Sequence, residues 1–175
     1  MQQNRNKLLA ISFTVLVAAS LSLFFFTREE AKPEIDRDYF KIADTETVNQ
    51  VVLSHSETTV QLNFVNNGWR VNNTWDADMQ MIKVLMAVLK QVEPQRPVAA
   101  SKRDSIVQWL EKNGTRVTIW QGDEKKLSFL AGGNAGHTEA WFLKEGEFQP
   151  FTMIIPGYRV YVAGILELEV GGWRN

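Results

Sequence analysis

Three spacings of apolar residues follow one another along this chain, and each implies a different kind of structure. Residues 8–26 are unbroken by any charge, reading LLAISFTVLVAASLSLFFF with four hydroxyl residues as the only polar interruptions. As a helix this run spans about 28 Å, close to the hydrocarbon thickness of a bilayer. Further on the spacing shortens to two. Val60, Leu62 and Phe64 alternate with Gln61 and Asn63, and Asn66-Asn67-Gly68 supplies hairpin chemistry before Trp69 and Val71 return. Over residues 76–92 the spacing becomes helical. Ile82, Leu85, Met86, Leu89 and Val92 recur at three and four residues, with Met81, Val84 and Val88 widening the stripe.

Glu93-Pro94 stops that helix, and a second is expected over residues 101–113, with Ile106, Trp109 and Leu110 as its apolar face. Ser101-Lys102-Arg103-Asp104 resembles a capping box, and Gly114 is placed as the residue that ends the helix. Beyond Gly114 period two returns. Val117 and Ile119 oppose Thr118 and Trp120, and further strands are expected at 127–130, 140–143, 151–155 and 158–165, besides a short one at 38–42. The last alternation, Leu166, Leu168 and Val170, leads into Trp173 and reads as an edge strand open to another chain. The expected fold is α+β: an N-terminal transmembrane helix, then an antiparallel sheet of meanders with two helices packed on one face.

Arg5 and Lys7 precede the apolar run, so the positive-inside rule places residues 1–7 in the cytoplasm, 8–26 across the membrane and the remainder outside. Residues 27–37, charged and broken by Pro33, read as a stalk, and 38–175 as one extracytoplasmic domain. A cleaved signal peptide is the competing reading, since Ala18-Ala19-Ser20 is a passable cleavage context. Against it, the apolar run continues through Phe26. The chain has no cysteine, which removes a lipidated thiol, disulfides and thiolate metal sites together.

Nineteen basic and twenty acidic residues are interspersed, without the basic stripe that nucleic acid requires. Neither of the two histidines, His55 and His137, has a second histidine at metal-ligand spacing. His137 near Glu139 is the one local His–carboxylate pair, and no nucleophile motif accompanies it. Gly132-Gly133-Asn134-Ala135-Gly136 lacks the Lys-Ser/Thr that a phosphate loop needs, so it reads as a loop or bulge. No catalytic residue, metal ligand or small-molecule cofactor is expected. Six tryptophans could form a glycan-stacking platform, although most occupy inward-patterned positions.

Several short segments taken together resemble a Bacteroidota family of membrane-anchored domains of unknown function, sometimes linked with gliding-motility-type ABC transporter auxiliary proteins. The matching pieces are the apolar run, Tyr39-Phe40-Lys41-Ile42-Ala43-Asp44, Trp69-Arg70-Val71-Asn72, Pro97-Val98, Gly132-Gly133, Ile154-Ile155-Pro156-Gly157-Tyr158 and Gly172-Trp173-Arg174. The resemblance implies an envelope location and an accessory role, with no catalytic residues to carry over. Family members often continue past the Trp-Arg into a related second half. The resemblance thus leaves this chain as a short form, a truncation, or a half that needs a partner. The leading expectation is a single-pass inner-membrane accessory or scaffold subunit. Its partners would be the lipid bilayer and other envelope proteins of a transport, secretion or motility complex. The expected contact residues are Leu166, Leu168, Val170 and Trp173, with Gly132 and Gly133 at a loop tip. The alternatives are a glycan- or peptide-binding domain and, last, a hydrolase using His137.

Overall fold

The computed structural model describes residues 12–22 and 35–175. The chain divides into two units, residues 1–34 and 35–175. In the first, residues 12–22 form helix α1, with Phe13 and Leu16 about 70% exposed. Among the described residues no helix is long and apolar enough to cross a membrane. The expected tail at 1–7, both ends of the apolar run (8–11 and 23–26) and stalk residues 27–34 lie outside the described residues.

The second unit is an α+β domain around one nine-stranded sheet. The strands are β1 (Val48–His55), β2 (Thr58–Val65), β3 (Gly68–Val71), β4 (Trp75–Asp76), β5 (Glu93–Pro97), β6 (Thr115–Gln121), β7 (Glu124–Gly133), β8 (Ala140–Lys144) and β9 (Phe151–Ile154). Helix α2 (Met79–Gln91) joins β4 to β5, and α3 (Ala100–Asn113) joins β5 to β6. Strand order is β4-β3-β2-β1-β6-β7-β8-β9-β5, and every pairing is antiparallel.

The turns follow from local chemistry. Asn66 and Asn67 both take positive φ (51° and 65°), the conformation a two-residue hairpin demands, so the turn centres there and Gly68 already pairs with Val65. The Asp78 carboxylate caps α2 by accepting from the Gln80 N–H at 2.8 Å. Helix α3 departs from expectation. It begins at Ala100 after Ala99, with no side-chain cap, so Ser101 lies inside the first turn and caps nothing. Gly114 ends it at φ −75°, and the reason for glycine is space, since a Cβ there would strike the Leu110 carbonyl oxygen.

Alternation along the strands sorts the core into two clusters on opposite faces of the sheet. Val51, Leu62, Ile119, Phe129, Ala131 and Phe142 point to the front, where α2 contributes Ile82, Leu85, Val88 and Leu89. Phe40 is fully buried there, with its ring 5.6 Å from both Phe129 and Phe142. Its segment turns at 37–40 and is irregular at 41–42, rather than forming the expected strand (38–42). The Ile42 N–H donates to the Leu89 carbonyl at 2.9 Å, and the Lys41 ammonium meets Glu93 at 2.7 Å, fastening the segment to the end of α2 and the start of β5.

The back face is smaller and partly polar. Leu130, Trp141 and Leu143 alternate out of the front core and pack instead with Ile106 and Leu110 of α3. The expectation of both helices on one face is therefore corrected: α2 covers the front and α3 the back. Elsewhere on the back the neighbouring strands carry Gln50, Asn63, Thr118 and Ser128, linked pairwise at 2.7 Å (Gln50–Asn63) and 3.3 Å (Thr118–Ser128). Trp120 also lies on this face, half-buried beside a bulge in the β6–β7 pairing.

Candidate functional site

Of the six contact residues expected from sequence, the structure exposes neither the edge nor the loop tip. Residues 158–175 contain no strand, which corrects the expected edge. Instead Val162–Ile165 and Val170–Trp173 are 3₁₀ turns, whose period of three brings Val162 and Ile165, then Val170 and Trp173, onto the same side. Leu166 and Trp173 are buried to 1% and 0% exposure, and Leu168 and Val170 pack against the same core half-buried. The Trp173 carbonyl accepts from the Asp78 N–H at 2.8 Å, and its indole N–H donates to the Leu168 carbonyl at 3.2 Å. The segment is thus the closing piece of the front core rather than an open edge.

Gly132 and Gly133 are likewise corrected. They lie buried in β7, not at a loop tip. A Cβ on Gly132 would sit 2.5 Å from the Trp109 ring on the back, and one on Gly133 would strike the Glu139 carbonyl oxygen and the Tyr161 ring on the front. Glycine is required because α3 and the C-terminal segment both approach the strand backbone closely.

Two of the concave surfaces among the described residues flank residues 155–161. The first is a polar cleft of about 840 Å³ at the ends of β8, β9 and β5. Its rim is the 134–139 loop, held by the Asn134 side chain. That carbonyl oxygen accepts from the Thr138 and Glu139 N–H groups at 2.8 and 3.0 Å. The loop sets His137 at φ 52° and stacks its ring on Tyr161, 4.6 Å between centroids and 11° between planes. The Tyr161 hydroxyl donates to Glu167 at 2.6 Å, and burial, reinforced by that carboxylate, pushes its pKa well above 10. Glu139 is held by Arg96 at 2.8 Å.

This arrangement orients the His137 ring. Among the described residues no carboxylate accepts a hydrogen bond from His137, and its nearest sequence partner, Glu139, is committed to a guanidinium. No group of three or more His, Asp or Glu side chains among the described residues is placed to hold a metal ion. The tryptophans are dispersed. Trp69 and Trp173 are core, Trp109 meets Trp141 edge-on at 5.9 Å on the back face, and Trp75 lies under the Arg174 guanidinium.

The second concavity is an apolar groove of about 550 Å³ between α2 and the segment 155–165. Val84 and Ala87 form one wall, with Tyr158, Val160, Tyr161 and Ile165 opposite. Val84, Tyr158 and Val160 are 47%, 65% and 55% exposed. Sequence reading placed Val84 only as a widening of the α2 stripe. The signal available was that eight apolar positions make a stripe too wide for one buried face. Comparison with protein-family models, with curated proteins and with solved structures gives no match to this chain.

Proposed function

We propose that this chain is a single-pass inner-membrane accessory or scaffold subunit, its N-terminus in the cytoplasm. In this reading its folded domain, outside the membrane, docks onto an envelope transport, secretion or motility complex. One observation carries the reading: residues 8–26 hold no charge and follow Arg5 and Lys7. The described part of that run is helical and presents Phe13, Val15, Leu16, Val17 and Leu21 at 41–71% exposure. Such a helix is unfavourable in water, whereas lipid covers those side chains without loss. The same run supports an anchor over a cleaved signal because it stays apolar well past Ala19.

Docking is supported over glycan stacking by the scattered tryptophans, and over hydrolysis by the commitments of Glu139 and His137 described above. The test is affinity purification of the full chain from detergent-solubilised membranes. Stoichiometric membrane proteins are expected to accompany it, and a clean monomer contradicts the reading.

A further inference from the structure

We infer that the groove between α2 and residues 155–165 receives an amphipathic helix of the partner, with acidic residues flanking its apolar stripe. The inference rests on the docking reading and gives it a surface.

Shape argues for a helix. Val84, Ala87, Val88 and Gln91, spaced i, i+3, i+4, i+7, line one wall over about 10 Å of α2. A second helix laid beside them offers the same repeat, with its apolar row seated between α2 and the opposite wall. A flat headgroup layer would touch the exposed rim residues Val84, Tyr158 and Val160 and leave the floor uncovered. Exposed apolar side chains gathered along one concavity are the usual mark of an interaction surface.

Charge argues for acidic flanks. Neither α2 nor the segment 155–165 contains an aspartate or glutamate. Lys83 and Lys90 lie seven residues apart on the solvent side of α2, and Arg159, between Tyr158 and Val160 in the chain, lines the adjoining polar cleft. All three are exposed, and among the described residues none makes an ion pair. Elsewhere Lys41, Arg70, Arg96 and Lys125 each hold a carboxylate at 2.7–2.8 Å. The nearby Glu167 is occupied by the Tyr161 hydroxyl. Unpaired cations beside an apolar groove whose two walls carry no carboxylate call for carboxylates from elsewhere, which would set partner choice and association rate.

The test uses the full chain in zwitterionic nanodiscs and two labelled peptides of about 18 residues, long enough to hold a helix. Both carry leucines at helical spacing. One flanks them with glutamates and the other with lysines. Anisotropy titration should show the glutamate peptide binding about tenfold more tightly than the lysine peptide. Val84→Asp or Val160→Asp should weaken it by about tenfold, and the triple variant K83E/K90E/R159E should reverse the preference. All these side chains are exposed, so folding is expected to survive, as circular dichroism will report. Equal binding of the two peptides, no binding, or binding indifferent to Val84→Asp overturns the inference. So does a groove that ignores the peptides and binds anionic vesicles. The docking reading fails separately, when the unmodified chain purifies from membranes with no partner. A partner that stays bound to Val84→Asp at unmodified stoichiometry sinks the groove alone.

Discussion

The two faces of the sheet are built from the same strands yet serve differently. On the front, α2, the turn holding Phe40 and the C-terminal segment cover the strands and bury Phe40, Leu62, Leu85, Phe129 and Trp173 almost completely. On the back, α3 covers a small cluster with Leu130, Trp141 and Leu143, and beside it lie amides and hydroxyls with half-buried Trp120 among them. The difference teaches where stability comes from. Burial of large apolar area holds the front together, whereas neutral hydrogen bonds at a half-wet surface contribute little each. It also relocates the exposed apolar surface to the border of the front cover, along the α2 groove.

The comparison is broken most severely at Trp173. Trp173→Ala should cost about 4 kcal/mol in urea unfolding of the full chain in micelles, because a fully buried ring leaves a large void. Leu110→Ala, in the small back cluster, should cost about 2–3 kcal/mol. A larger loss at Leu110 than at Trp173 would mean that the back face carries the fold.

The paired glycines sharpen the contrast. Gly133→Ala forces a methyl against the Glu139 backbone and Tyr161 and should cost about 2–3 kcal/mol, in the range of overpacked cores. Gly132→Ala meets the Trp109 ring, which is 37% exposed and can swing aside, and more loosely the buried Leu110 side chain at 3.2 Å, so about 1–2 kcal/mol is expected. Thermal melts of the two variants would reveal a reversed order.

Smaller effects are expected at the edges of the front cover. Asp78→Ala removes the α2 cap and should cost about 1 kcal/mol. Tyr161→Phe loses one hydrogen bond, also about 1 kcal/mol, and changes the alkaline limb of stability. The folded-state pKa of Tyr161 lies above its unfolded value near 10. Its contribution is therefore fully present below about pH 10 and is lost as pH rises through the folded value. Unfolding titrations above pH 10 should show the parent falling more steeply than Tyr161→Phe, and parallel curves would refute the assignment.

Much of this fold was legible where one residue's local preference decides the outcome. The hairpin at Asn66-Asn67 and the helix after Asp78 follow from positive φ and capping, and both form, although Asp76, expected inside the helix, pairs in β4 instead. Strand β5 was illegible, because Pro94 and Pro97 argue against a strand. It forms because it is the outermost strand, where a missing N–H can go unpaired. The side chosen by α3 was illegible too. Strands β7 and β8 carry apolar residues on both faces, so either face could accept an amphipathic helix. Leu166, Leu168 and Val170 mimicked a strand because alternation over so few residues is also met by successive 3₁₀ turns. Of the candidate groove, only the α2 wall, through Val84 and Val88, left a trace. Tyr158 and Val160 belong to it only through the path of the chain after β9.

Membrane anchorage of an outward-facing domain is tested most directly by expressing the full chain in a bacterial host and washing its membranes at alkaline pH. The account predicts intact protein in the washed membranes, with the domain digested by protease added to spheroplasts and Arg5 and Lys7 protected. Soluble protein lacking its apolar N-terminal run, or a domain that protease cannot reach from outside, would contradict it.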